Sequence, residues 1–369
     1  MTKLQISNLR KTYGGFTAVH GLDLEIEEGE TVALLGPSGC GKSTTLNMIV
    51  GLTEPTAGDI RIDGKSVIGT PPGQRGIGLV FQDYAVFGNM TVRQNLAFGL
   101  KVRKLSKSKI QEEVEKTADL LGLSSTLDDA TADMGGSQLQ RVALGRTLIT
   151  NPSILLLDEP LSNLEAAMRN EMRQELRRIQ KKTGQTVIYV THDQIEALSL
   201  AHKIAVMEQG RLVQYGDTYD VYHYPQETFV GGFLGNPPMN FLKGKIVVEK
   251  SRSFFETGQT RMDVSRVLPA VEAQNGRSVT LGIRPESIQI SEAPTGVSAQ
   301  LTLVEQIGAD TVLSADLEGQ EMRILTTGLT SLNAGDECHL TAPAGMISIF
   351  EPTSGVRLDT ASQTQGQPT

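Results

Sequence analysis

The sequence predicts an α/β domain followed by an all-β domain, on three observations. Apolar runs with almost no alternation recur through the first 235 residues, as in Ile154 to Leu157 (ILLL) and Thr186 to Val190 (TVIYV). That is the pattern of strands buried on both faces of a mostly parallel sheet. Helical patterns separate these runs, and alternation of strand and helix marks an α/β layer. After Asn236 the texture changes to short β-like runs between turns, which suits a small barrel or sandwich.

Taken in order, Glu30 to Leu35 (ETVALL) is a buried strand and Lys42 to Val50 is the helix that follows a glycine loop. Ile77 to Phe81 (IGLVF) is the next strand. The stretch from about 87 to 150, which includes KVRKLSKSKIQEEVEKTADLLGL, is rich in Lys, Glu, Gln and Leu and reads as a helical insertion. Glu165 to Lys182 places Met168, Met172, Leu176 and Ile179 on one helical stripe, with Gly184 set to stop the helix. The Pro pair of GNPPMNFLKG puts a boundary after residue 235. Beyond it, KGKIVVE, SVTLGIR, SAQLTLVEQIG, DTVLSADLEG, EMRILT and ECHLTAPAGMISIF are the strand candidates of a domain over 236–352. The Ser/Thr/Gln-rich stretch 353–369 is expected to be a disordered tail.

Composition narrows the function. The 369 residues are long enough for two domains. There are 34 Lys+Arg against 42 Asp+Glu, a net charge of -8, which excludes a surface devoted to gripping nucleic-acid phosphates. Two cysteines, Cys40 and Cys338, are too few for a disulfide framework and fit a reducing interior. No apolar stretch reaches the roughly 18 residues of a membrane span, and MTKLQISNLRKTYGG has no apolar signal core, so a cytoplasmic protein is expected.

Gly36-Pro37-Ser38-Gly39-Cys40-Gly41-Lys42-Ser43 fits GxxxxGK[ST] and lies between a strand and a helix, the context that makes it a phosphate loop. Its N–H groups would cradle phosphate oxygens, Lys42 would reach the β- and γ-phosphates, and Ser43 would ligate Mg²⁺. Asp158 and Glu159 end the ILLL strand at its carboxyl end, where α/β sheets bind ligands. Asp158 is expected to hold Mg²⁺ and Glu159 to act as general base on a water. Gln82 and His192 each sit where a strand leaves the sheet at the same end, with His192 placed for a γ-phosphate and its water. Tyr13, in a short loop between two β-like segments, offers a flat ring to an adenine.

Tyr13, GPSGCGKST, VFQDY, MGGSQLQRVALGR, LLLDEPLSN and VTHDQIEAL, in that order, resemble the ATP-binding cassette (ABC) transporter ATPases. YHYPQETFVGGFLGNPPMNFLKG and LGIRPESI are similar to the carbohydrate-uptake importer class, including the ATPases for maltose-type oligosaccharides and glycerol 3-phosphate. The resemblance runs from residue 1 to about 352. It implies ATP and Mg²⁺ as cofactors, Tyr13 as the adenine-stacking aromatic and Gly36 to Thr44 as the phosphate loop. By the same resemblance Gln82 touches Mg²⁺ and the membrane-domain contact region, Ser43 and Asp158 hold Mg²⁺, Glu159 is the catalytic carboxylate and His192 senses the γ-phosphate.

The resemblance also implies a head-to-tail pair of cassettes, each ATP held between one chain's phosphate loop and the other's signature loop, here Gly135, Gly136, Ser137 and Gln138. Two permease subunits, a substrate-binding protein and a place at the cytoplasmic face of the membrane follow from it, with the permeases held through the helical insertion. The second domain resembles the OB-type transport-associated domain, which dimerises and receives regulatory signals. Nucleic acid is not an expected partner, since 236–352 lacks aromatics set among basic residues.

Two positions depart from the family. Met134-Gly135-Gly136-Ser137-Gln138 stands where relatives have LSGGQ, so the serine hydroxyl offered to a γ-phosphate is missing, an effect of roughly 1.5–3 kcal/mol. Glu165 in SNLEA stands where relatives have aspartate, keeping the charge and adding a methylene. In a homodimer both sites would be impaired alike; in a heterodimer with an ordinary partner, only one. A regulatory subunit that binds ATP without turnover, and a nucleic-acid-linked ATPase, are the rival readings.

Overall fold

The computed structural model describes residues 1–268, 275–291 and 296–358. They divide into two compact units, Met1–Thr218 and Tyr219–Thr369.

In the first unit, β1 (Thr2–Tyr13) and β2 (Phe16–Glu27) form a long antiparallel hairpin. β3 (Thr31–Leu35) enters a second sheet and leads through the glycine loop into α1 (Lys42–Val50). β4 (Ala57–Ile62) and β5 (Lys65–Ser66) return to the hairpin and complete a sheet of order β2-β1-β4-β5. β6 (Ile77–Val80) is followed by the predicted helical insertion: α2 (Val92–Val102), α3 (Lys107–Leu120) and α4 (Gly136–Leu148). The chain then alternates through β7 (Ile154–Asp158), α5 (Ala166–Thr183), β8 (Thr186–Thr191), α6 (Gln194–Leu200), β9 (Lys203–Glu208) and β10 (Arg211–Asp217).

The central sheet has the order β10-β9-β3-β8-β7-β6 and is parallel except for the β9/β10 pair. α1 lies between the two sheets, with Leu46, Met48 and Ile49 in one core with Leu4, Ile6 and Leu22 of the hairpin and Val32, Leu156 and Ile188 of the central sheet. Burial on both faces is why β3, β7 and β8 read as unbroken apolar runs. It also places the carboxyl ends of β3, β7 and β8 side by side, because parallel neighbours in register end together.

The α5 stripe is shorter than expected. Met172, Leu176 and Ile179 are buried, whereas Met168 is 40% exposed, because the first turn of α5 precedes the helix's contact with the core. Gly184 ends α5 in the left-handed conformation at φ +64°, as the sequence predicts.

In the second unit, α7 (Thr218–His223) and α8 (Thr228–Phe233) precede ten strands among the described residues. These are β11 (Asn240–Glu249), β12 (Arg252–Thr257), β13 (Thr260–Asp263), β14 (Ser278–Ile283), β15 (Gln289–Ser291), β16 (Val297–Ile307), β17 (Asp310–Leu317), β18 (Gln320–Thr327), β19 (Glu337–Thr341) and β20 (Ile347–Phe350). They form two sheets, β13-β12-β11-β14-β20 and β15-β19-β16-β17-β18, whose inner faces share a core that includes Ile246, Phe255 and Leu281 with Leu301, Leu313 and Leu340.

Residues 219–235 group with the second unit, where the buried Arg284 guanidinium donates to the carbonyls of Tyr222 (2.7 Å), Gly231 (3.0 Å) and Leu234. Of the stretch expected as a tail, residues 353–358 follow β20 closely, with Glu351 N donating to Val356 O (2.8 Å) and Leu358 N to Ile349 O (2.7 Å). The remainder, 359–369, lies outside the described residues.

Candidate active site

The phosphate loop is shaped by close backbone approach. A Cβ on Gly36 would stand 2.2 Å from Met207 O, and one on Gly41, at φ +102°, 2.7 Å from Ala18 O. Glycine is therefore required at both positions. Gly210, in the turn between β9 and β10, stitches the loop to the hairpin: its N–H donates to Cys40 O (3.0 Å) and its carbonyl accepts from His20 N (2.9 Å). Cys40 is buried and free, as is Cys338.

Lys42 opens α1 and is 5% exposed, with Nζ donating to Gly36 O (2.7 Å) and Pro37 O (2.9 Å). The ammonium is thus folded over the mouth of its own loop, held by neutral carbonyls that a phosphate oxygen can replace. No side chain caps α1, so the first-turn N–H groups around Ser43 and Thr44 remain for an anion. Ser43 itself is exposed.

Asp158 is the last residue of β7, and burial raises its pKa, the Glu159 charge raises it further and Lys42 opposes both. Glu159 follows in the left-handed region at φ +42°, an uncommon conformation for glutamate, fixed by its N–H donating to Val190 O (2.8 Å) on β8. This turn aims the Glu159 carboxylate at His192, just past β8, with Oε2 and Nδ1 3.0 Å apart.

The two residues border a recess of about 40 Å³ that is also lined by Ser162, Arg169, Thr191, Asp193 and Glu196. That volume exceeds the roughly 10–15 Å³ needed to hold a water. Its floor is rigid: Thr191 Oγ1 donates to the buried Glu196 (2.7 Å), whose pKa burial raises, and Asp193 caps α6 through Ile195 N (2.8 Å) and Glu196 N (3.1 Å).

Gln82 is joined to the same region. Its Nε2 donates to Ser162 Oγ (3.3 Å) and its carbonyl accepts from Asn163 Nδ2 (2.8 Å). Ser162 and Asn163 were missed as site residues; the polar pair straight after Asp-Glu-Pro-Leu was the available signal.

Tyr13 is the last residue of β1 rather than a loop residue, cross-strand from Phe16 and 49% exposed. Lys11 Nζ lies 4.9 Å from its ring centroid and donates to Glu54 O (2.6 Å), so one ring face is supported.

Gly135 is the N-cap of α4 at φ -73°, ψ 163°, with its N–H donating to Gln138 Oε1 (3.4 Å). A Cβ on Gly136 would lie 3.3 Å from Leu164 Cδ2. Among the described residues no hydrogen bond or ion pair joins 134–138 to 36–44. The structure therefore gathers Lys42, Asp158, Glu159, His192 and Gln82, and leaves Gly135, Gly136, Ser137 and Gln138 on a separate helix start.

A cation would take few protein ligands here. Among the described residues no group of three or more His, Cys, Asp or Glu side chains is placed to hold a metal ion. Asp158, a half-buried carboxylate stabilised by the Lys42 charge, together with exposed Ser43, fits the habit of Mg²⁺ of using one carboxylate plus substrate phosphates and water.

Comparison with known proteins places the chain in a family. The ABC transporter family profile matches residues 19–162, the MalK OB fold domain profile 235–288 and the TOBE domain profile 281–350. The sn-glycerol-3-phosphate import ATP-binding protein UgpC 2 of Agrobacterium fabrum is 39% identical over 360 residues, covering 98% of this chain and 95% of the relative. The maltose/maltodextrin import ATP-binding protein MalK of Escherichia coli is 44% identical over 314 residues, covering 84% and 85%. Among solved structures, cbiO1 of Clostridium perfringens, described as part of the ABC transporter complex cbiONQ, superposes with a TM-score of 0.57 at 31% identity, over 60% of this chain and 90% of that one. With an ABC transporter profile over the first unit, MalK-type OB and TOBE profiles following it in the sequence, and import ATP-binding relatives matched over nearly the whole chain, the chain belongs to the ABC transporter family, in its class of ATP-hydrolysing importer subunits.

Proposed function

We propose that this subunit hydrolyses Mg·ATP at the site built by Lys42, Asp158, Glu159 and His192, and that closure and reopening of a head-to-tail pair of cassettes drives import of a sugar, polyol or glycerol phosphate. The observation that carries the catalytic part is the water-sized recess bordered by Glu159 and His192 at the carboxyl ends of β7 and β8.

The phosphate tail lies along the loop N–H groups, and Lys42 exchanges its carbonyl partners for phosphate oxygens. Ser43, Asp158 and Gln82 would hold Mg²⁺, which when bound would supply charge neutralisation at the β- and γ-phosphates. Glu159 accepts the proton of the attacking water, and His192 keeps the carboxylate aimed while its outer ring atoms reach the γ-phosphate. Tyr13 stacks on the adenine.

The permease-facing surface is the segment after β6. Phe81 and Phe98 are 43% and 40% exposed, Phe87 lies 4.8 Å from Phe98, and Arg146 stacks over Phe87 at 4.2 Å while donating to Ala85 O. A cavity of about 180 Å³ opens there, lined by Phe81, Tyr84, Phe98 and Arg146 among others. Aromatic residues with an arginine are the usual anchors of a protein interface. Two permeases and a substrate-binding protein complete the system, with this chain at the cytoplasmic face. No helix among the described residues is long and apolar enough to cross a membrane. The substrate class rests on the names of the relatives, for glycerol 3-phosphate and for maltose/maltodextrin.

Purified protein is expected to release phosphate from Mg·ATP, and Glu159→Gln to lose that activity by about 10²-fold or more while still binding ATP. Unchanged turnover in Glu159→Gln would overturn the assignment. A second reading, a weak site that needs an ordinary partner cassette, is favoured by Gly135, which has no hydroxyl to offer. Turnover that appears only on mixing with a partner cassette would select it.

A further inference from the structure

We infer that Asn163 is a positioning residue: its amide holds the main chain at Gln82 and, with Ser162, fixes the permease-facing loop to the turn that carries Glu159. The inference rests on the roles proposed above for Gln82 and Glu159.

Three hydrogen bonds form the link. Asn163 Nδ2 donates to Gln82 O at 2.8 Å, Gln82 Nε2 donates to Ser162 Oγ at 3.3 Å, and Ser162 Oγ donates to Glu159 O at 2.8 Å. The directions are mutually consistent: the single hydroxyl proton of Ser162 goes to Glu159 O, leaving its lone pairs for the Gln82 amide. Ser162 N also donates to Glu159 O at 3.2 Å, so the turn Glu159–Ser162 is closed twice.

Gln82 and Asn163 are both exposed, so neither bond is needed to satisfy a buried group. What the bonds do is geometric. β6 and β7 are parallel neighbours paired through Val80 and Leu157; β6 ends at that pair, β7 continues against β8 to Asp158, and the two chains then run into separate loops. The Asn163 and Ser162 contacts tie these loops together past the last ladder pair. Phe81 precedes Gln82 directly, and the strained Tyr84 (φ +63°) and Ala85 (φ +47°) follow it. A partner seated on these residues displaces Gln82, and the displacement reaches the Glu159 main chain, whose φ of +42° leaves it a narrow range of orientations.

The test compares Asn163→Asp and Asn163→Gln in the full chain. Aspartate keeps the size but its carboxylate has no proton to donate to Gln82 O, whereas glutamine keeps the donor. Amide hydrogen exchange over 81–87 is followed in nucleotide-free protein, beside kcat and KM for ATP and the melting temperature. Asn163→Asp is expected to speed exchange over 81–87 by at least about threefold at an unchanged melting temperature. It is also expected to lower kcat about tenfold with KM within about twofold, the scale on which small misplacements of reacting groups act. Asn163→Gln should recover part of both. Normal exchange in Asn163→Asp overturns the link, and faster exchange with normal kcat overturns the positioning role. If the unaltered protein turns over no ATP, the proposed function falls, and the exchange result still decides whether Asn163 holds the loop.

Discussion

Glu159 Oε2 and His192 Nδ1 meet at 3.0 Å across the carboxyl ends of two neighbouring parallel strands. The pairing goes with the left-handed turn at Glu159, since a strand continued straight would point this carboxylate to one face of the sheet rather than across its end to β8. If His192 aims the carboxylate, His192→Ala should lower kcat about 10²-fold with ATP affinity within about threefold. Phosphate-release kinetics and a nucleotide-binding titration separate the two quantities. An alanine variant with full kcat would remove His192 from the reaction.

Gly135 has no backbone reason to be glycine. Its φ of -73° and ψ of 163° are ordinary for any residue at an N-cap, and a Cβ there would meet nothing within 4 Å. Gly135→Ser therefore fits without strain and restores a hydroxyl at the helix start. Turnover per site is expected to rise about tenfold, the lower end of a hydrogen bond to a charged phosphate of about 1.5–3 kcal/mol. An unchanged rate in the serine variant would show that Ser137 or the helix N–H groups already supply the contact.

The parts of this protein that were legible in sequence are those where one chemistry demands one local pattern. Gly36 and Gly41 could be read because the loop cannot form around a side chain, and β7 because burial on both faces leaves no alternation. Asp158, Glu159 and His192 could be placed at one end of the sheet because each ends or directly follows such a strand. The bond from Asn163 to Gln82 was not, since it joins positions 81 residues apart and nothing local requires it. β12, β13 and β15 were missed for another reason: RSFFET, TRMD and QIS are short and largely polar, and are held by neighbours rather than by their own pattern. The close of the first unit at Thr218 was hidden because the tie is made by Arg284, far along the chain, reaching back to three carbonyls.

Glu165 has a local consequence that its position in the motif did not suggest. It is the N-cap of α5 at φ -63°, ψ 153°, and its side chain makes no capping bond. Aspartate reaches the N–H groups of the first turn, which the longer glutamate leaves unpaired. Glu165→Asp is expected to stabilise the first unit by about 0.5–1 kcal/mol. For a unit of this size that raises the melting temperature by about 1–4 °C. Calorimetry of the full chain reads the shift in the transition assigned to the first unit; an unmoved transition would mean that α5 starts equally well uncapped.

His223 gives the second unit a dependence on acid. Burial lowers its pKa from an ordinary 6.5, the Glu286 charge opposes this, Arg284 adds to it and Asp220 opposes it. Its ring lies 4.2 Å from that of Tyr219 and 5.1 Å from that of Tyr222, and its buried Nδ1 has no hydrogen-bond partner. The folded chain thus holds His223 neutral at a pH where the unfolded chain has begun to protonate it. Between its two pKa values the unfolded state binds more protons, so stability rises with pH there. The contribution is complete above about pH 6.5 and declines as the pH falls through that value. The second unit should therefore melt lower at pH 5.5 than at pH 7.5, and His223→Phe, which keeps an aromatic ring beside Tyr219 and cannot titrate, should flatten that difference. Equal pH dependence in the two proteins would assign the acid sensitivity to groups other than His223.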